Sequence, residues 1–297
     1  MATKDCTNSH SLVGIRYHAH VSILPCIFST HVFSTHVQQW RNPVGLTIYY
    51  EFSSQAESPE EAGELVRLLH NKALTLNMEE VHQLQWMSPS DVRELREEVD
   101  RIKFGGPAVF LHQASCMAKD DALLASLGEH GYHSVLPLCF HHFTIYPGQG
   151  CETAAIGLAQ MPETTERDGK VWPTGLKRWG WQSFCKTQYA SNAKFGGIDH
   201  FLRCHLGLVE LFDYARELGI LERVSDDSGY WEHRDGTKLR ESLEQMNRIV
   251  ASFTGACKDA IGTESGSVVA PITDFPNFEH LEADGRKPLR RDDDASD

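Results

Sequence analysis

Residues 46–61 read LTIYYEFSSQAESPEE, and this stretch decides the fold class. Leu46–Phe52 is β-branched and aromatic, the composition of a half-buried strand. Ser58-Pro59-Glu60-Glu61 follows closely: a capping serine, a proline at the first helical position and a glutamate at the third. Ala62, Leu65, Val66, Leu69 and Ala73 then recur at helical spacing. A strand that passes straight into a capped helix is the start of an α+β unit.

Working outward, Val81–Met87 is a candidate strand. Ser88-Pro89-Ser90-Asp91 opens a second helix with Val92, Leu95, Val99 and Ile102 as its stripe, stopped by Gly105-Gly106. Ala122–Leu127 reads as a short helix. Cys139–Tyr146 and Thr153–Met161 read as strands joined by the Pro147-Gly148-Gln149-Gly150 turn, and Pro162–Gly180 as a surface loop. Gln182–Tyr189 is a third long strand, Asp199–Leu218 an apolar helix, and Gly219 its stop. Leu221–Ser225 and Tyr230–Arg234 flank the turn Asp226-Asp227-Ser228-Gly229. Thr237 then caps a helix carrying Leu239, Leu243, Met246, Ile249 and Phe253. The order predicts an α+β fold of two ferredoxin-like β-α-β-α units sharing a mostly antiparallel sheet. The domain spans residues 44–262, with halves at 44–161 and 179–262. Residues 263–297 make an irregular, charged tail.

Residues 1–43 have a different character. No acidic residue occurs between Cys6 and Tyr50, and Phe28–Val37 is the tandem copy FSTHV-FSTHV. A transit peptide would be this poor in acids but richer in Arg, so the segment reads as a poorly ordered extension. The whole chain has net charge −13. An acidic surface repels the phosphate backbone, so nucleic acid is not an expected partner. No apolar run reaches the ~20 residues a bilayer demands, so a membrane is not one either. The eight cysteines form no C-x-x-C pair and sit mostly in apolar stretches. That is the pattern of reduced thiols in a soluble cytoplasmic protein.

The densest chemistry lies between Trp179 and Asp235. Three blocks there, Ser183-Phe184-Cys185-Lys186-Thr187-Gln188-Tyr189-Ala190-Ser191, His200-Phe201-Leu202-Arg203-Cys204-His205-Leu206 and Gly229-Tyr230-Trp231-Glu232-His233-Arg234-Asp235, resemble a set found in an uncharacterised family of soluble bacterial proteins. The resemblance covers about Val44 to Ala260 and implies no activity. The residues themselves offer Cys185 as a nucleophile, with His205 or His200 as its base. Glu232 is a second proton carrier. Lys186, Tyr189, Arg203, Tyr230 and Arg234 are candidates for holding an anionic small molecule, with Lys186 and Arg203 meeting where the strand's end faces the helix's first turns. His200 and Cys204, four apart on one helix face, allow a zinc site with Cys139, His141 and His142, but no H-E-x-x-H accompanies them. His142-Phe143-Thr144-Ile145 has no second H-x-[ST] copy, and Gly148-Gln149-Gly150 does not extend to a dinucleotide fingerprint. Neither a metal nor a cofactor is therefore assigned. The reading leans to a small-molecule enzyme or anion-binding protein with its site in residues 179–235. The alternative is a non-catalytic binding or regulatory module. A deep pocket of perturbed titratable groups would favour the first, and a shallow aromatic surface the second.

Overall fold

The computed structural model describes residues 45–101, 111, 113–128, 132–261, 268 and 270–287. The expected extension at 1–43 lies outside them, as do residues 263–267, 269 and 288–297 of the expected tail. The described chain is α+β: a seven-stranded, wholly antiparallel sheet with helices packed against it.

The opening stretch folds as read. β1 (Thr47–Ser54) leads into α1 (Pro59–Thr75). Ser58 Oγ accepts the Glu61 N–H at 3.2 Å, and Glu61 returns a carboxylate oxygen to the Glu57 N–H at 2.8 Å. These bonds satisfy amide donors that a helix start otherwise leaves open. Ala62, Val66, Leu69 and Ala73 are the buried face of α1.

The single strand expected at 81–87 is two short ones, β2 (Glu80–Val81) and β3 (Gln85–Met87), both beside β6. Next come α2 (Pro89–Arg101), β4 (Cys116–Met117), α3 (Asp121–Ser126) and β5 (Ser134–Val135). The long strands β6 (Cys139–Tyr146) and β7 (Ala154–Gln160) form the expected hairpin. The segment read as a surface loop contains another hairpin, β8 (Thr164–Arg167) with β9 (Lys170–Pro173). β10 (Trp179–Lys186) begins earlier than read and stops before Tyr189, which lies in a 3-10 turn at Gln188–Ser191. After it come α4 (Gly197–Glu217) and β11 (Leu221–Asp226).

Tyr230–Arg234 is not the strand it resembles. α5 (Tyr230–His233) is one helical turn, because Asp226 Oδ2 takes the Trp231 N–H at 3.1 Å and wraps the chain back on itself. α6 (Gly236–Ile261) buries Leu239, Leu243, Met246 and Val250. Ile249 and Phe253, expected on that stripe, fall one position off it and are exposed. A 3-10 turn at Pro271–Asp274 and α7 (Phe278–Gly285) show that the expected tail contains regular structure. Among the described residues no helix is long and apolar enough to cross a membrane.

The sheet order is β11-β1-β10-β7-β6, with β2 and β3 at the far edge. Thus β1, from the first expected half, lies between β10 and β11, from the second. The two halves interleave instead of standing side by side. Tyr50 and Phe52 of β1 meet Phe212 of α4, with ring centroids 4.5 and 6.2 Å apart, and the Tyr50 hydroxyl donates to Ala155 O at 2.9 Å. Phe212→Ala is expected to cost about 3–5 kcal/mol by leaving a cavity at this junction. Ser58→Ala should cost only about 1 kcal/mol. Urea unfolding of the two variants tests that order, and equal losses would place the main packing elsewhere.

Candidate functional site

The last residue of β10 is Lys186, opposite Thr47 at the start of β1. Its side chain runs over Gly45, where an added Cβ would sit 2.7 Å from Lys186 Cε. The backbone there has φ 144°, which glycine adopts without strain. The ammonium lies 5.7 Å from the centroid of the Tyr189 ring. Lys186 also exchanges bonds with the β6–β7 loop: its O accepts the Glu152 N–H at 2.8 Å, and its N–H reaches Glu152 Oε2 at 3.3 Å.

Strand alternation sends Tyr49 to the face opposite Tyr50. Tyr49 and Phe184 stand directly opposite in register, with ring centroids 5.9 Å apart and planes tilted by 40°. Phe184 is 36% exposed. Beside them, Asp227 Oδ2 accepts the Thr47 N–H at 3.2 Å. Burial, and then the neighbouring Asp226 charge, push the Asp227 carboxyl up to about 7, against the opposing pull of the Thr47 N–H and Lys186. Burial also raises the Tyr49 phenol, with the Asp227 charge adding to it. Aromatic rings, an ammonium and a titratable carboxyl therefore share one end of the sheet. A small open hollow beside Glu51, Lys119, Lys177 and Glu222 lies elsewhere. Its charges neutralise one another, with Lys119 2.9 Å from Glu51 and 3.2 Å from Glu222.

Directly behind this end runs a buried polar chain. Thr187 Oγ1 is 3.0 Å from His205 Nδ1, and His205 Nε2 is 3.2 Å from Asp226 Oδ2. Burial alone would raise the Asp226 carboxyl, but hydrogen bonds from His205 and Ser228 outweigh it and hold the group below its ordinary range. An ionised Asp226 only accepts, so Nε2 carries a hydrogen toward it. Ser228 Oγ donates to the same carboxylate at 2.8 Å. Hydroxyl, imidazole and carboxylate in a row are the ingredients of a hydrolase triad. In this chain Thr187 and His205 are 0% exposed. With no solvent access at either group, the row fastens α4 to the exits of β10 and β11.

The sequence-expected residues are dispersed. Cys185 is buried, its thiol donates to Glu152 O at 3.1 Å, and burial pushes it well up. Both ring nitrogens of His205 are engaged by Thr187 and Asp226, so Cys185 and His205 are not paired. Glu232 lies exposed on α5. Arg203 does not meet Lys186: its Nη1 binds Asn77 O at 2.5 Å and Pro147 O at 3.2 Å, and Nη2 lies 3.1 Å from His200 Nδ1. Arg234 makes two bonds to Asp213, at 2.8 and 2.9 Å, and stacks 4.4 Å over Trp231. Tyr230 lies edge-on to His205, 6.3 Å between centroids. Among the expected binding residues the fold brings Lys186 to Tyr189, and Arg234 to Tyr230 at 5.9 Å from the ring centroid. His200 and Cys204 also meet, Nε2 to Sγ 3.8 Å, but His141 packs instead against α1 through Pro59 O at 2.9 Å. Among the described residues no group of three His, Cys, Asp or Glu could hold a metal ion.

Tyr49, Glu152, Phe184 and Asp227 were not singled out by the sequence. The alternation within LTIYYEF carries a signal for Tyr49, since one tyrosine of the pair must leave the core. Comparison with family models, curated proteins and solved structures finds no match to this chain.

The raised Asp227 group binds a proton more tightly in the folded chain than in the unfolded one. Between the ordinary carboxylate value and about 7 the native state holds the extra proton, so this group's contribution falls as pH rises through that window. Asp227→Asn keeps an acceptor for Thr47 and removes the charge. It is expected to stabilise the protein by on the order of 1 kcal/mol near pH 8, after allowance for partial exposure, and by little near pH 4. Urea midpoints at both pH values test this; an equal shift at both would sink the assignment.

Proposed function

We propose that the chain is a non-catalytic binding module that takes a small planar anion, such as an aromatic carboxylate, at the Tyr49–Phe184 end of its sheet. The observation that carries this reading is the ring pair, 5.9 Å between centroids with Phe184 at the surface, standing on the strands that also carry Lys186 and Thr47. Flat rings favour stacking on a flat ligand, and an ammonium at the rim favours its charge. The enzyme reading depends on Cys185, His205 and Glu232 and gains no support from their positions. The scaffold is related here to ferredoxin-like folds on one feature: β10, α4 and β11 form a split β-α-β unit around β1. A cytoplasmic setting fits the free thiols of the six described cysteines.

Charge at the rim makes the reading testable. Below about pH 7 Asp227 is neutral. Above it, a negative charge stands beside Lys186 and opposes an anionic ligand. 1-Naphthoate is expected to bind saturably and to raise the melting temperature by mass action. Affinity should fall several-fold from about pH 6 to about pH 8, as Asp227 ionises. Phe184→Ala and Lys186→Gln should each weaken binding while leaving the protein folded. Calorimetric titration with 1-naphthoate and neutral 1-naphthalenemethanol tests this. Equal binding of the two, or no saturable binding at either pH, would overturn the proposal.

A further inference from the structure

Cations stand on both sides of the Tyr49–Phe184 ring pair, and the ligand proposed above uses only one of them. Strand pairing locates the second. On β1, Thr47, Tyr49 and Glu51 share one face. Thr47 is opposite Lys186 on β10, Tyr49 is opposite Phe184 on β10 and Ser225 on β11, and Glu51 is opposite Arg223 on β11. Lys186, the two rings and Arg223 therefore run diagonally across three strands of one face, with Tyr49 at the middle. Four residues of β1 separate the register positions of the two cations, about 14 Å along the strand at about 3.4 Å per residue.

Arg223 is exposed, and among the described residues it has no hydrogen-bond or ion-pair partner. A β-bulge accounts for this. The register passes from Arg223 opposite Glu51 to Leu221 opposite Phe52, which leaves Glu222 as the extra residue. Strict alternation would send Glu222 to the other face. Instead it reaches the face of Glu51, since Lys119 Nζ lies 2.9 Å from Glu51 and 3.2 Å from Glu222. Lys177 also approaches Glu222, at 3.5 Å. Both carboxylates beside Arg223 are thus engaged by lysines. Lys119, Lys177 and Arg223 stand against Glu51 and Glu222, so this patch is positive on a chain whose net charge is −13.

We propose that the ligand of this face is a planar dianion with its charges at opposite ends, one at Lys186 and the other at Arg223. The inference rests on the ring-pair reading and extends it to the class of ligand. A flat two-ring body lies over Tyr49 and Phe184 while its ends reach the two cations. A monoanion of the same body leaves Arg223 unused. A guanidinium takes a carboxylate through two parallel N–H bonds, which adds direction to the attraction of charge. Arg223 is thereby a specificity-determining residue, selecting ligands by the second charge and by its distance from the first.

Calorimetric titration of the full chain at about pH 6, where Asp227 is neutral, compares naphthalene-2,6-dicarboxylate with 2-naphthoate. The dicarboxylate is expected to bind at least about tenfold more tightly, the size of effect that one charge-assisted hydrogen bond gives. Arg223→Gln should remove that advantage and leave the affinity for 2-naphthoate unchanged, and Arg223→Lys should keep part of it. Because Arg223 is exposed, neither change is expected to move the urea midpoint. A dicarboxylate that binds no more tightly than 2-naphthoate, or an advantage that survives Arg223→Gln, overturns this inference. Saturable binding of 2-naphthoate in that case leaves the ring-pair reading standing. Saturable binding of neither ligand overturns both.

Discussion

The architecture around the sheet's working end depends on His205. Its ring is fully buried, and both nitrogens are engaged: Nδ1 by the Thr187 hydroxyl just past β10, and Nε2 by the Asp226 carboxylate that ends β11, with the Ser228 hydroxyl also 3.5 Å away. A buried carboxylate is tolerated only when hydrogen-bonded donors replace its water, and Asp226 has four, from His205, from the Ser228 amide and hydroxyl, and from the Trp231 amide. Those donors come from α4 and from the turn into α5. One imidazole therefore fixes a helix, a strand exit and a turn relative to each other. Its consequence for function is positional. Lys186 precedes Thr187 and Asp227 follows Asp226, so the ammonium and the titratable carboxyl are carried to opposite sides of β1 by the residues that hold the imidazole.

The elements that were legible in the sequence are those whose signal is local. The proline and acidic cap of α1 act within a few residues, and the cap forms as read. The β8–β9 hairpin was equally local and passed over: Asp168 and Gly169 both have positive φ, 53° and 71°, the Asp-Gly pair that two-residue hairpin turns favour. Tyr230–Arg234 was not legible, because the force that coils it is an acceptor, Asp226, outside the segment. Nor was the interleaving of the two halves. Element order alone does not say that β1 will insert between β10 and β11, since that pairing is decided by which faces bury the most apolar surface.

At the site the same division holds. Lys186 and Tyr189 are three residues apart, and their proximity follows from the chain itself. Cys185 and Thr187 share a strand parity, and either could have been the residue that meets the helix. Because β10 ends at Lys186, the chain turns inward at Thr187, and the hydroxyl rather than the thiol reaches His205. Arg203 reads as an anion ligand from its charge. In the fold its fork points at backbone carbonyls, which are acceptors that every sequence supplies and none advertises. Asp227 reads as a turn residue, and its high carboxyl value arises from burial and from Asp226, both products of the tertiary fold.

The loop between β6 and β7 ties these observations together. At its start, Arg203 and Cys204 hold Pro147; at its end, Glu152 is bonded through both backbone and side chain to Lys186. Cys151 stands between these two attachments. A short loop pinned at both ends transmits displacement rather than absorbing it, because close-packed surroundings leave few intermediate arrangements. A displacement of this loop would move Glu152, whose carboxylate accepts the Lys186 N–H at 3.3 Å. Arg203, Cys204 and Lys186 are therefore linked through one short loop, from Pro147 to Glu152.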